Sequence, residues 1–323
     1  KFVHAFWQQK ESFPLIMIGA TSDLLTPDAI YLTQWRPCEP DSRYTLGYGF
    51  RWGTYRFDDA LVLCTCECPE ETLQWQIEIS AFDLQGNQLA GAILPNVSFP
   101  SQREKYWVAD DLGDWLHPII QIIPGPLHGP TQTPTCVAAL QLRDQPEKTW
   151  LKQSRYVENG LPKSQGGLYC IDRAGQIVQQ ELSPLGDHLS MCLCGEHVVG
   201  ADRIDGAWRL WFWSPHNEPK TIVPQTFLEQ DTLRIKLVPI DAYDQHERPY
   251  FWCVEESAEG LRVSLWDAHS FQVIHHTRVK GIKLPLKRME SRVHEPHTIA
   301  VDHDRLLILG INRERHLQLL QFQ

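Results

Sequence analysis

Apolar and polar residues alternate with a period of two along most of this chain, and Gly, Pro, Asn or Asp interrupts the alternation every ten residues or so. This pattern is typical of short β-strands joined by turns. Roughly sixteen strands are predicted in this way, among them Ala60–Cys68, Arg209–Trp213 and Arg262–Trp266. No sustained apolar stripe at helical spacing interrupts them. The sequence therefore predicts an all-β protein.

One phrase recurs: an apolar strand, an Asp, a short turn and a second strand. It occurs at Ile79–Leu89, Leu168–Val178 and Val263–Ile274, with a degenerate copy at Leu210–Val223. The Asp residues of the three clear copies lie about 90 positions apart, roughly twice the ~40–45-residue period of a propeller blade. Asp side chains hydrogen-bond the backbone in turns, so these residues are interpreted as turn formers.

The phrase Leu265-Trp266-Asp267 resembles the dipeptide that ends the third strand of a WD40-type blade. The other copies have Phe-Asp, Ile-Asp and Trp-Ser at this place, and the Gly-His element that opens a WD40 blade is absent from the matching offset. About half of the chain is covered by the resemblance. It implies a divergent β-propeller, a ring of four-stranded blades.

Residues 1–323 are expected to form one propeller domain, with seven blades favoured over six. Seven hairpin anchors support this count, namely Trp35, Asp83, Ile122, Asp172, Ser214, Asp267 and Asn312. Residues 95–135 are rich in Pro and Gly and are predicted to be an irregular blade or an insertion. The N-terminal strand, within residues 1–7, is predicted to supply the missing strand of the last blade and close the ring, which would remove exposed sheet edges.

Composition and charge narrow the choice of partner. The formal charge of −10 opposes a nucleic-acid partner, because neutralising phosphates needs a concentrated positive surface. No apolar run is long enough to span a bilayer, so no membrane partner is expected. Several of the nine cysteines lie inside strand-like apolar runs, which favours buried free thiols and a cytoplasmic location. The sequence lacks an initiating Met and is expected to be trimmed or excised, so one domain of a larger chain is a further alternative.

Three groups of residues have the chemistry of a metal or catalytic site. Cys64, Cys66 and Cys68 alternate on one strand, where zinc ligation competes with simple burial. Acidic residues near Asp110 and Asp111 offer oxygens to calcium but lack the spacing of a calcium loop. The third group, in which metal or acid–base chemistry competes with turn formation, comprises His294, His297 and Asp302.

No P-loop, Gly-x-Ser-x-Gly elbow or dinucleotide-binding loop occurs, and no cofactor is expected. The leading hypothesis is a non-catalytic scaffold that binds another protein or a peptide on one rim of the propeller. Exposed aromatic side chains are the expected anchors, with Trp7, Trp35 and Trp52 as candidates. The alternative is a hydrolase or small-ligand-binding propeller with its site at the mouth of the central channel.

Overall fold

The computed structural model describes a chain built from β-strands. The residues that it describes are 2–6, 15–20, 28–35, 42–49, 51–69, 74–100, 118–123, 125, 127–128, 134–143, 164–204, 206–215, 223–228, 231–240, 249–285, 287–289, 292–294, 299–302 and 305–323. Within these ranges there is no helix, and hence none with the length and apolar character needed to cross a bilayer. The predicted all-β class is confirmed.

The chain forms two compact units, Lys1–Pro184 and Leu185–Gln323. In the first unit, the first sheet comprises β1 (Phe2–Phe6), β2 (Leu15–Ala20), β3 (Asp28–Trp35) and β4 (Ser42–Gly49). The second sheet comprises β5 (Arg51–Arg56), β6 (Ala60–Glu67), β7 (Gln74–Asp83) and β8 (Gln88–Pro100). The third sheet comprises β9 (Ile119–Ile122), β10 (Leu127–His128), β11 (Pro134–Arg143), β12 (Ser164–Ile171) and β13 (Ile177–Glu181).

The second unit continues the same architecture. The fourth sheet comprises β14 (Asp187–Cys194), β15 (His197–Ile204), β16 (Ala207–Trp213) and β17 (Val223–Phe227). The fifth comprises β18 (Thr232–Ile240), β19 (Tyr250–Ser257), β20 (Gly260–Asp267) and β21 (Gln272–Lys280). A two-stranded ribbon of β22 (Lys287–Met289) and β23 (Arg292–His294) precedes the sixth sheet, which comprises β24 (Ile299–Asp302), β25 (Arg305–Ile311) and β26 (Leu317–Phe322).

Strands that follow one another along the chain lie next to one another in most of these sheets and run antiparallel. A four-stranded antiparallel sheet of this kind is the blade of a β-propeller. The divergent propeller class predicted from the repeated hairpin is thus confirmed by the sheets themselves. The number of blades stays a prediction.

Sheets within a unit pack face to face, so a central sheet is buried on both sides. In β6, Leu61 and Leu63 contact a cluster that includes Ile30 and Leu32 of the first sheet. The alternate residues Val62, Cys64 and Cys66 contact the third sheet through β11 and β12. Burial on both faces explains why β6 reads as a continuous apolar run instead of a strict alternation.

The fifth sheet is covered in the same way. Cys253 and Phe251 of β19 pack with Leu210 of the fourth sheet, while Trp252 and Val254 pack against β24 and β25. Side chains of neighbouring β19 residues point to opposite faces, which places each set in a different core. Because both faces of the central strand β19 are buried, the polar side chains of this sheet are accommodated mainly on its edge strands.

The recurrent Asp forms a turn in every described copy. The Asp83 Oδ1 atom accepts hydrogen bonds from the backbone N–H groups of Gln85 and Asn87, at 2.9 and 2.8 Å. Equivalent bonds are made by Asp172 to residues 174 and 176, by Asp267 to residues 269 and 270, and by Asn312 to residues 314 and 316. Their interpretation as turn formers is confirmed.

Two details differ from the expectations. The N-terminal strand β1 pairs with β2 in the first sheet, whereas the sequence predicted that it would complete the last one. The short connection at residues 7–14 makes this local pairing entropically inexpensive. Ile122 does not anchor a hairpin of its own, because β9 pairs with β11 in the sheet that contains Asp172. The Pro- and Gly-rich stretch after β9 lacks a turn-forming Asp.

Candidate functional site

A half-open cavity of about 240 Å³ lies against the fifth sheet. Its lining comes from β19, β20 and β21 alone, and consists of Glu255, Arg262, Val263, Ser264, Trp266, Val273, His276, Thr277 and Arg278. A volume of this size is near the lower limit for a small-molecule pocket and suits a side chain or a short peptide segment.

Strand register brings the polar lining residues together. Arg262 lies opposite Glu255 of β19 on one side and opposite Arg278 of β21 on the other. Ser264 lies opposite His276 in the same way. Residues that are directly opposite in an antiparallel pair share a face and have Cβ atoms about 5 Å apart. The cavity is thus built by the pairing of three consecutive strands.

A buried ionic network holds Arg262 in place. Its Nη2 atom lies 3.1 Å from the Glu255 Oε2 atom, and its Nη1 atom lies 2.7 Å from the Asp231 Oδ1 atom. The Thr232 hydroxyl also donates to Glu255 Oε2 at 2.9 Å and accepts from Arg262. Glu255 is only 8% exposed, so its charge is balanced inside the protein, as buried charges require.

Trp266 is the large apolar residue of the cavity. Its indole Nε1 donates to the Ser264 hydroxyl at 2.8 Å, and its ring stacks on Phe251 with centroids 6.1 Å apart. The Ser264 hydroxyl in turn donates to the carbonyl oxygen of Cys253 at 3.4 Å. These contacts fix the orientation of the indole and occupy the hydroxyl, so Ser264 is not arranged as a nucleophile.

The lining of the cavity combines cationic, aromatic and anionic groups. Two guanidinium groups, an imidazole and an indole surround it, and its one carboxylate is held by Arg262 and Thr232. Trp and Arg are the residue types that contribute most at protein interfaces. Among the described residues, no group of three or more His, Cys, Asp or Glu side chains is arranged to hold a metal ion.

A second polar pair lies at the end of the fourth sheet. The Nδ1 atom of His197 is 2.5 Å from the Ser214 hydroxyl oxygen, and burial lowers the pKa of His197. The rings of Phe212 and Phe271 stack beside the imidazole, with centroids 3.8 Å apart. Ser214 is 8% exposed, so a substrate has little access to its hydroxyl. The contact joins the first residue of β15 to the residue that follows β16.

The three cysteines proposed for zinc lie in one core. Cys64, Cys66 and Cys68 all belong to the cluster that fills the space between the second and third sheets. Burial raises the pKa of the Cys64 and Cys66 thiols to about 12. A thiol with this pKa stays protonated at neutral pH when no metal is bound. The burial of these thiols is as the sequence predicted, and zinc ligation by them stays a prediction.

The other predicted site residues are distributed through the fold. Trp52 of β5 is half-buried and packs against the core of the first and second sheets. Three more lie on described strands, namely Trp35 on β3, His294 on β23 and Asp302 on β24. Trp7, His297, Asp110 and Asp111 lie outside the described residues.

Sequence reasoning did not single out the cavity residues Glu255, Arg262, His276 and Arg278. They are spread over three strands and carry no motif of their own. The available signal was indirect: Trp266 and Asp267 belong to the best copy of the repeated phrase, which predicts the hairpin whose register gathers them.

Comparisons with known proteins give likenesses of shape alone. No family model matches the chain, and no curated protein matches it. The N-terminal domain of Nup159 is 11% identical, with 100% of this chain and 76% of that chain covered and a TM-score of 0.44. The Dos1 propeller is 10% identical, with 92% and 61% covered and a TM-score of 0.41. An alpha-L-arabinanase from Penicillium chrysogenum is 12% identical, with 80% and 73% covered and a TM-score of 0.39.

With TM-scores below 0.5, these likenesses add nothing to an assignment that rests on the sheets. Successive antiparallel blades and a recurrent Asx turn between the last two strands of a blade are the features that classify the molecule. By its blades, this chain is a divergent β-propeller.

Proposed function

We propose that this chain is a non-catalytic propeller scaffold that binds another protein or a peptide, and that the cavity on the fifth sheet is part of the binding surface. The observation that carries the proposal is the composition of the cavity. It combines an oriented Trp266, an ionically fixed Arg262 and an exposed Arg278 in one half-open depression. Such preorganised aromatic and guanidinium groups favour binding because little side-chain entropy is lost on contact.

Exposed apolar side chains on the outer strands support the same proposal. The most exposed large ones include pairs on or next to four such strands, namely Leu89 and Ile93 on β8, Val178 on β13 with Leu182 directly after it, Val273 and Ile274 on β21, and Leu317 and Leu319 on β26. Their exposed fractions range from 45% to 69%. Val273 also lines the cavity, which joins an apolar rim to the charged depression. Interfaces commonly combine such elements.

The proposal extends to the setting of the molecule. The net charge of −10 favours a protein or peptide partner over a nucleic acid or a membrane surface. Eight of the nine cysteines are among the described residues, and all eight are free and buried. Buried thiols that form no disulfide bond are typical of a reducing compartment, which supports the proposed cytoplasmic location.

The alternative function, catalysis at a channel mouth by His294, His297 and Asp302, depends on side chains that the structure does not describe. The pair of His197 and Ser214 does not replace them, because the serine hydroxyl is buried. Binding by the cavity on the fifth sheet is therefore the function that the described residues support best.

Site-directed photo-cross-linking in host cells tests the proposal. A photoreactive amino acid replaces exposed His276 at the cavity or, as the control, exposed Ala174 in the turn before β13. We expect a discrete protein to cross-link from position 276 and not from position 174. The purified partner should then bind Arg278→Glu at least tenfold more weakly than the unmodified chain. The control for charge reversal is Arg173→Glu, at an exposed ion pair with Asp59, and should leave affinity unchanged.

Two results would overturn the proposal. The first is the absence of any cross-linked protein from position 276 under conditions where the cross-linker reacts. The second is a partner whose affinity falls equally with Arg278→Glu and Arg173→Glu, since the cavity would then have no special part in binding.

A further inference from the structure

Strand β21 is the outermost strand of the fifth sheet. It pairs with β20 along one edge, and the sheet order β18-β19-β20-β21 places its other edge at the boundary of the sheet. The first five side chains of β21, from Gln272 to His276, are exposed, as are Arg278 and Lys280 near its end. An edge strand of nine residues is a template on which a further strand can form.

The charge of this region is opposite to that of the whole chain. Between Asp267 and Glu290 the sequence contains no Asp or Glu. The same stretch holds five cationic residues, which are Arg278, Lys280, Lys283, Lys287 and Arg288. A local positive field on a chain with a net charge of −10 attracts and orients an acidic partner.

Strand geometry aligns the cationic side chains. His276, Arg278 and Lys280 alternate along β21 and therefore share one face. Arg278 lies directly opposite Arg262 of β20 on that face. Because Glu255 and Asp231 already pair with Arg262, Arg278 and Lys280 supply the positive charge on the outer part of that face.

We propose that an acidic, extended segment of a partner protein pairs, as an additional strand, with the outer edge of β21, which none of the described strands occupies. This inference rests on the proposed function and specifies its ligand. Acidic residues at alternate positions of the segment lie beside His276, Arg278 and Lys280, since neighbouring strands are about 4.8 Å apart. Apolar residues at its other end lie beside Val273 and Ile274, which are 45% and 54% exposed. Backbone hydrogen bonds supply affinity and the alternate carboxylates supply specificity.

Fluorescence anisotropy with synthetic peptides tests the inference on the full chain. The probe is a short fluorescein-labelled peptide in which Val and Glu alternate, and the control peptide has Gln in place of each Glu. We expect the Glu peptide to bind at least tenfold more tightly than the Gln peptide at low salt, and to weaken as salt is added. Arg278→Glu and Lys280→Glu should each weaken the Glu peptide at least tenfold, whereas Arg173→Glu should not.

Strand pairing is tested separately from charge. One set of alternate peptide N–H groups faces β21 in an added strand and the other set faces away. Methylating the first set should abolish binding, while methylating the second should leave it unchanged. Arg278→Gln serves as a milder variant should Arg278→Glu fail to fold, as judged by its thermal unfolding.

Several outcomes would overturn the inference. Equal affinity for the Glu and Gln peptides, or equal effects of the two methylation patterns, would remove its basis. Tighter binding of a single-stranded oligonucleotide than of the Glu peptide would assign the basic strand to nucleic acid. Self-association of the chain that Lys280→Glu disrupts would assign the edge to a second copy. If position 276 still cross-links to a protein partner, only the acidic-strand inference is lost and the proposed function stands.

Discussion

The buried ion pair between Asp202 and Arg209 provides a strong test of how the fourth sheet is held together. The Asp202 side chain is fully buried. It accepts hydrogen bonds from the Arg209 Nε and Nη2 atoms at 2.6 and 2.9 Å, and from the Gly186 N–H at 2.7 Å. Arg209→Met keeps much of the apolar stem and removes the charge. It leaves a buried carboxylate with the Gly186 donor but without its guanidinium partner.

The expected cost follows from these contacts. Breaking a buried ion pair by removing one partner costs about 3–5 kcal/mol. The remaining Gly186 N–H offsets part of this cost, so we expect Arg209→Met to lower the free energy of unfolding by about 3 kcal/mol.

Urea unfolding at pH 7 followed by tryptophan fluorescence measures the effect. Arg173→Met is the matched control, since the Arg173–Asp59 pair has a similar distance of 3.0 Å but side chains that are 64% and 63% exposed. The control should cost less than about 1 kcal/mol. A loss for Arg209→Met that is no larger than for Arg173→Met would refute the reasoning.

Three further predictions concern single positions. Partial burial lowers the pKa of His197, so the unfolded chain binds the proton more readily than the folded one. Stability should therefore fall as the pH decreases below about 6.5, by at most about 1.4 kcal/mol per pH unit. His197→Gln should remove this part of the slope in urea titrations. Arg315 has a φ of 65° in the Asn312 turn, a backbone conformation that is strained for a residue with a Cβ atom. Arg315→Gly should relieve this strain and raise the free energy of unfolding by about 1 kcal/mol. A decrease in thermal stability would contradict the argument. A Cβ atom at Gly200 would lie 2.1 Å from the Trp211 ring. Gly200→Ala should therefore lower the free energy of unfolding in urea by about 1–3 kcal/mol. An unchanged unfolding midpoint would show that the indole can move aside.

The buried strands were the easiest elements to predict from the sequence. Predicted Ala60–Cys68 corresponds to β6 and predicted Arg262–Trp266 lies inside β20, because both strands carry the large apolar side chains that the cores require. The outer strand β21 was recognised only through its turn. Most of its side chains are exposed, and burial therefore imposes no alternation on its sequence.

The candidate site was harder to predict, for a related reason. Glu255, Arg262 and Arg278 acquire their relation from strand register, and register depends on how two hairpins pair. A cluster such as His294 and His297 looks more conspicuous in the sequence because its members are close along the chain. Proximity in sequence is a poor guide to the residues that line a cavity on a sheet, because residues that face each other across the sheet belong to different strands.

The sequential pairing of the strands also has a consequence for how the chain is made. The second sheet is complete within residues 51–100 and the fifth within 232–280, with a local Asx turn in each. Pairings between chain neighbours need little loop closure, so each sheet can form soon after its last strand leaves the ribosome. Each sheet still needs a neighbour to bury its second face, so stability should accumulate stepwise during synthesis. At any time during synthesis, only about one sheet is therefore incompletely packed and able to misassemble.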